Sequence, residues 1–83
     1  KLSGLATEAD HAKWTPAHLR PYLEHALACF GPDRLMFGGD WPVSTLATDY
    51  PRWVGTVDEA LAGLTDAERR RILAGTAEAF YRL

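Results

Sequence analysis

The apolar residues of the chain form one short continuous run and three longer stretches with helical spacing. The run at residues 34–37 is apolar without alternation and leads into two glycines, which is typical of a strand covered on both faces. Residues 1–5 suit the end of another strand, which Gly4 closes. Helical spacing extends from about Pro21 to Phe30, from about Asp49 to Leu64, and from Thr65 onward. The predicted order is strand, loop, helix, strand, loop, helix, helix, a βαβα pattern typical of parallel α/β folds.

Two prolines complicate the start of the first helix. Thr15-Pro16 is typical of a helix start, with threonine as the cap and proline at the first helical position. Pro21 inside that helix would remove a backbone donor and clash with the preceding turn. We therefore predict a loop over residues 6–15, a short turn at residues 16–20 and the main helix at residues 21–30. Its predicted inner face comprises Tyr22, Leu23, Ala26, Leu27 and Phe30.

The second half of the chain carries clear helix-boundary signals. Thr65 and Glu68 form a capping-box pattern, which predicts a new helix at this point. Gly75 is expected to break that helix, so that Thr76 caps a final short one. The apolar stripe of the helix before Thr65 is Tyr50, Trp53, Val54, Val57, Leu61 and Leu64.

One carboxylate follows the predicted strand at residues 34–37. Gly38 and Gly39 end the strand, and Asp40 comes next, where a strand end can present it to a cleft. An aspartate there can take a proton from an attacking water, or bind a metal ion that activates the water. The alternative is that Asp40 only closes a turn or caps a helix. The residues alone leave both interpretations open.

Two neighbouring residues are candidates for substrate binding. Trp41 can line a pocket beside Asp40, or it can plug the top of a core. Ser3, near the end of the first strand, can bond a polar substrate or only satisfy a turn. Ser3 lacks the flanking glycines of a nucleophile elbow, so a nucleophilic role has no support.

The histidines and the cysteine do not form a recognisable motif. His11, His18 and His25 recur every seven residues, which is unlike the spacing of metal-binding histidines. Cys29 lies in an apolar sequence and is predicted to be a buried structural thiol.

Composition excludes several classes of partner. With 83 residues the chain allows one small domain, and its net charge of −2 argues against nucleic acid or an anionic membrane. No apolar stretch approaches the ~18–20 residues of a membrane span. The single cysteine cannot form an internal disulfide, which fits a reducing compartment, and we expect a cytoplasmic protein.

The chain resembles the amidohydrolase-related lactonases, which include sugar lactonases and pyrone dicarboxylate lactonase. The resemblance lies in residues 1–10, Pro21-Tyr22, residues 30–43 and residues 75–83, with residues 37–43 as its most specific part. This family usually has serine in place of Gly39. The resemblance covers essentially the whole chain, in order.

The resemblance implies a (β/α)8 TIM barrel of metal-dependent-hydrolase type, with residues 1–83 as its C-terminal fragment. Residues 1–5 and 34–37 would then be strands seven and eight, each followed by its helix. Asp40 would be the general base on the hydrolytic water and, in metal-dependent members, also a ligand of a divalent metal such as zinc. The implied substrate is a small lactone, such as a sugar lactone, or a similar cyclic ester.

The resemblance also implies what these residues lack. The histidine pair of strand one and the further histidines of the middle strands have no counterpart here, so the chain alone is expected to be inactive. Its expected partner is the remainder of the barrel or a second copy of itself. The alternative function is a non-catalytic α/β or helical module that self-associates through exposed strand edges and apolar helix faces.

Overall fold

A computed structural model describes residues 1–83, and most of the ordered backbone is helical. The α-helices are α1 (Leu5–Glu8), α2 (Pro16–Phe30), α3 (Tyr50–Ala60), α4 (Asp66–Arg70) and α5 (Thr76–Tyr81). Two 3-10 turns, Pro32–Arg34 and Val43–Leu46, and a π turn, Arg71–Gly75, lie between them. None of these helices combines the length and the apolar character needed to cross a lipid bilayer.

The two predicted strands meet at a single parallel bridge between Leu2 and Phe37. The Leu2 amide donates to the Met36 carbonyl (2.8 Å), and the Gly38 amide donates to the Leu2 carbonyl (3.1 Å). Neither apolar segment forms a longer strand. Each pairs only with the other, and two strands without further neighbours are marginally stable. The predicted parallel orientation is present at this bridge, whereas the chain as a whole is more helical than the α/β prediction.

Helix α2 runs without interruption from Pro16 to Phe30, so the predicted separate turn at residues 16–20 was wrong. The ring of Pro21 is exposed, and Leu19 and Leu23 beside it are 3% and 2% exposed. Burying each leucine contributes about 1.5–3 kcal/mol, which offsets the backbone bond that Pro21 cannot donate. Residues 6–15 also differ from the predicted loop, because their first part lies in α1.

The last third of the chain forms one helical run with a bulge in it. The capping box is confirmed: Glu68 N–H donates to Thr65 Oγ1 (3.2 Å), and Thr65 N–H donates to Glu68 Oε1 (3.0 Å). The predicted break at Gly75 was wrong, since this residue keeps right-handed helical angles at the end of the π turn. Thr76 is buried and donates its hydroxyl to the Pro32 carbonyl (3.0 Å) instead of capping a helix.

The core lies between the bridged segments, helices α2 and α3, and the π turn. It consists of Leu2, Ala6, Trp14, Leu19, Leu23, Leu35, Ala47, Trp53, Val57, Leu61 and Ile72. The Phe37 amide donates to the Ile72 carbonyl (2.9 Å), which ties the second bridged segment to the π turn. Several predicted inner residues are exposed instead, namely Tyr22, Phe30 and Cys29. Helix α2 therefore buries a narrower face than its sequence pattern predicts.

Candidate active site

The two bridged segments run in the same direction, so the residues that follow each of them lie at one end of the bridge. Ser3 and Gly4 follow Leu2, and Gly38, Gly39 and Asp40 follow Phe37. A methyl group built on Gly38 would lie 3.0 Å from Ser3 Cβ and 3.4 Å from Ser3 Oγ. One built on Gly4 would lie 3.5 Å from Asp40 Oδ2. The fold thus brings Ser3 and Asp40 to the same end of the bridge, each against a glycine of the other segment.

Asp40 has a backbone conformation that few side chains adopt. Its φ is 55°, in the left-handed region, where aspartate is more tolerated than most residues. Its carbonyl accepts the Ser44 amide (2.8 Å), and a cis Trp41–Pro42 peptide follows it. A left-handed φ at a residue other than glycine persists where the surroundings hold it, and it occurs often at active sites.

The Asp40 carboxylate has no partner within the chain. The ion pairs of the protein are Arg20–Glu24, Arg69–Asp58 and Arg71–Asp33. The 3-10 turn after Asp40 has no side-chain cap, and α3 is capped by Asp49, which accepts the Arg52 amide (2.8 Å). Asp40 therefore does not cap a helix, whereas its carbonyl does close the turn that follows, by accepting the Ser44 amide. A half-buried carboxylate without a partner can accept a proton or bind a cation.

Trp41 is 78% exposed, so it does not plug the core of this chain. Ser3 is half-buried beside Gly38. Trp41 thus follows Asp40 directly in sequence, and Ser3 lies across the bridge against Gly38. Their indole ring and hydroxyl are available to a ligand.

The histidines lie elsewhere. His11 bonds the Thr7 carbonyl (2.7 Å), His18 accepts the Thr15 amide (3.2 Å), and His25 lies 3.5 Å from Cys29 Sγ on the surface of α2. No three side chains of histidine, cysteine, aspartate or glutamate come together in the chain. Structural and catalytic zinc sites take three or four protein ligands. A metal at Asp40 would therefore need its other ligands from outside residues 1–83.

Two clefts of the chain are lined by residues other than Asp40. One, of about 560 Å³, lies between α1 and α2 and is lined by residues that include Glu8, Lys13 and His18. The other, of about 510 Å³, lies between Met36 and α5. Asp40 lines neither of these clefts.

Two residues beside Asp40 were not recognised as part of the site from the sequence. The indole N–H of Trp53 donates to the Gly38 carbonyl (2.8 Å), and the ring of Tyr50 covers Gly39. Sequence reasoning assigned both residues to the apolar stripe of a helix. Their spacing was the available signal for a contact with the Gly-Gly-Asp run. Tyr50 and Trp53 lie three residues apart at the start of the helix that follows this run.

Comparison with known families places the whole chain in one group. Residues 1–83 match the sequence model of the family described as amidohydrolase. L-fucono-1,5-lactonase of Burkholderia multivorans is 46% identical over 88 aligned residues, and that of Burkholderia ambifaria is 39% identical over 89. Each alignment covers all of this chain and 30% of the relative. The chain thus spans about 30% of the length of the curated lactonases that it matches.

Solved structures agree with the sequence comparison. The chain superposes on crystal structures of an amidohydrolase from Burkholderia multivorans with a TM-score of 0.92 and 42% sequence identity. The superposition with the zinc-bound crystal form covers 99% of this chain and 31% of that protein. A second crystal form contains bound HEPES. The fold described above is therefore a portion of that larger fold.

Proposed function

The chain belongs to the amidohydrolase family, and on this basis we propose that it is the C-terminal part of a hydrolase that opens sugar lactones with water. Asp40 is the general base of this reaction. The observation that carries the proposal is the half-buried, unpaired Asp40 carboxylate, which lies against Gly4 at the end of the parallel bridge. The lactonase names of two relatives supply the substrate class.

Asp40 acts on the attacking water. As the water oxygen adds to the lactone carbonyl carbon, one of its protons passes to the Asp40 carboxylate. The tetrahedral intermediate then collapses, and the bond between this carbon and the ring oxygen breaks. The proton on Asp40 passes to the departing ring oxygen, which becomes the hydroxyl group of the open hydroxy acid. Asp40 ends as a carboxylate, so the enzyme returns to its starting state.

Ser3 and Trp41 bind the substrate in this proposal. The Ser3 hydroxyl can donate to or accept from a sugar hydroxyl group. The exposed indole of Trp41 offers an apolar face to the C–H side of a sugar ring, and its N–H can donate to an oxygen. Both residues stand at the end of the bridge that presents Asp40.

In the whole protein, the segments around Leu2 and Phe37 are strands seven and eight of an eight-stranded barrel, and Leu5, predicted to end the first strand, begins α1 instead. The parallel bridge between Leu2 and Phe37 and the close superposition on a larger amidohydrolase support this assignment. In such barrels the loops at the carboxyl ends of the strands form the active site. Asp40 and Ser3 follow the carboxyl ends of the two bridged segments.

A divalent metal is compatible with this site. The crystal structure of one similar amidohydrolase contains zinc, and the unpaired carboxylate of Asp40 suits a metal ligand. A bound metal ion would lower the pKa of the reacting water. Residues 1–83 contain no group of three or more histidine, cysteine, aspartate or glutamate side chains, so a metal ion at Asp40 would take further ligands from the rest of the whole protein.

The experiment that tests the proposal compares two proteins with a panel of sugar lactones, using release of acid as the readout. The full-length protein that contains this chain is expected to open at least one of these lactones. The 83-residue chain alone is expected to show no rate above buffer, because it holds no cluster of side chains that could bind a metal ion. A full-length protein that opens no lactone would overturn the substrate class.

A further inference from the structure

The two glycines before Asp40 do not by themselves determine where its side chain points. Glycine populates more backbone conformations than any other residue, and Gly38 and Gly39 follow one another. The Asp40 carboxylate makes no ion pair that would hold it. The direction of this carboxylate must therefore be set by groups that hold the Gly38–Asp40 backbone.

Helix α3 supplies those groups from its first two turns. Trp53 is 2% exposed, and its indole N–H donates to the Gly38 carbonyl (2.8 Å). The Gly38 amide is bound to the Leu2 carbonyl (3.1 Å), so both backbone groups of this glycine are engaged. The position of Gly38 is thus defined from two sides, by the bridge and by Trp53.

Tyr50 holds the next residue. A methyl group built on Gly39 would lie 3.2 Å from Cε2 of the Tyr50 ring, so the ring packs directly on the glycine backbone. The Tyr50 ring also meets Phe37 edge to face, with ring centroids 6.2 Å apart. Tyr50 therefore touches the residues on both sides of Gly38. Asp49 caps α3, so the helix begins at Tyr50. Tyr50 and Trp53 are three residues apart in this helix and therefore lie about one turn apart.

We propose that Trp53, with Tyr50 one turn before it, is the positioning residue for Asp40. Neither side chain needs to touch the substrate. The indole bond to Gly38 and the ring over Gly39 hold the backbone from which Asp40 points into the site. This inference rests on the proposed role of Asp40 as the general base, and it adds the element that directs this base.

The test uses the full-length protein with the Trp53→Phe variant, which keeps an aromatic side chain and removes the indole donor. We expect kcat to fall about tenfold or more, because a small misplacement of a catalytic group can cost up to about 10²-fold. KM should stay within about threefold, since Trp53 does not contact substrate. Tyr50→Leu, at a ring that is 58% exposed, should also lower kcat and provides a variant with less risk to folding.

Thr76→Val is the matched control. Like Trp53→Phe, this variant removes one hydrogen bond from a buried side chain to a backbone carbonyl. The carbonyl is that of Pro32, which precedes the bridged segment at Phe37. This control should lower the melting temperature and leave kcat unchanged. If Trp53→Phe and Tyr50→Leu behave like Thr76→Val, with lower stability and unaltered kcat, the inference is wrong.

A double-variant comparison separates positioning from a general structural effect. In an Asp40→Asn background there is no base left to position, so adding Trp53→Phe should not lower the residual rate further. A structural role would lower the rate by the same factor in both backgrounds. Equal factors would therefore overturn the inference while leaving the role of Asp40 intact.

Amide hydrogen exchange gives a readout that does not depend on lactonase activity. The Ser44 amide is bound to the Asp40 carbonyl (2.8 Å), so it reports on the Gly38–Asp40 backbone. Trp53→Phe should accelerate exchange at Ser44, whereas Thr76→Val should not. If the wild-type protein opens no lactone, the proposed function fails and this measurement still decides the inference. Unchanged exchange at Ser44 in Trp53→Phe would overturn it.

Discussion

The carboxylate of Asp40 lies against the backbone of Gly4, such that a methyl group on Gly4 would sit 3.5 Å from Asp40 Oδ2. Gly4 also has a φ of +79°, which a side chain disfavours. The start of the chain and the Gly-Gly-Asp run therefore meet at a position where the backbone conformation favours glycine and where an added methyl group would contact the Asp40 carboxylate. The first prediction below follows from this pairing.

Gly4→Ala should lower both stability and activity in the full-length protein. The positive φ alone should cost about 1 kcal/mol of unfolding free energy. The added methyl group also occupies space next to the reactive carboxylate, so kcat should fall. Denaturant unfolding and lactone hydrolysis measure the two effects.

Gly31→Ala is the matched control for that variant. Gly31 has a similar φ of +73°, but a methyl group there would meet nothing within 4 Å. It should lose stability and keep its kcat. A loss of kcat equal to that of Gly4→Ala would mean that Gly4 affects activity only through stability.

Asp40→Asn should reduce turnover about 10²–10⁴-fold in the full-length protein, the usual contribution of a general base. Stability should change by no more than about 0.5 kcal/mol, because the carboxylate has no ion-pair partner to lose. The control is Asp33→Asn, which breaks the exposed pair with Arg71 and should leave turnover unchanged. Near-native turnover in Asp40→Asn would remove Asp40 from the mechanism.

Arg52→Lys should destabilise the protein by about 1–2 kcal/mol. The Arg52 guanidinium stacks 3.7 Å from the centre of the Trp14 ring and donates to the Trp14 carbonyl (2.8 Å). Lysine keeps the charge and loses this planar stacking. Arg20→Lys, at an exposed pair with Glu24, should change stability by less than about 0.5 kcal/mol. Equal melting temperatures for the two variants would contradict a stabilising role of Arg52.

The isolated 83-residue chain should self-associate. It exposes a set of large apolar side chains that includes Phe80 (71%), Leu83 (88%) and Leu46 (66%). Exposed apolar surface of this kind favours association in water. Light scattering at increasing concentration should give a rising average mass, and Phe80→Glu should lower it. A constant mass of 9.2 kDa would show that the chain remains monomeric.

Local signals predicted the parts of the fold that depend on neighbouring residues. The Thr65–Glu68 capping box forms as expected, and the helix predicted from about Asp49 to Leu64 begins at Tyr50 and ends at Ala60. The capping-box interactions join residues three apart, so the sequence contains both partners side by side. The parallel orientation of the two apolar runs was also predictable, because a helix between two strands is the usual parallel connection.

The features that prediction missed depend on partners distant in the chain. The sequence pattern does not show that Leu19 and Leu23 bury enough surface to carry α2 through Pro21. Similarly, nothing local indicates that Thr76 bonds Pro32 or that Trp53 bonds Gly38. For the candidate site, the sequence predicts Asp40, whereas the aromatic residues that contact Gly38 and Gly39 lie on a separate helix.

The contact between Gly39 and Tyr50 also has an evolutionary consequence. A side chain at position 39 would press on the Tyr50 ring, since the space for its first atom ends 3.2 Å from Tyr50 Cε2. In a related protein with serine at the position of Gly39, the Tyr50 ring would have to move by a few tenths of an ångström, or a smaller residue would have to stand there. The residue types at these two positions are therefore expected to co-vary among related proteins.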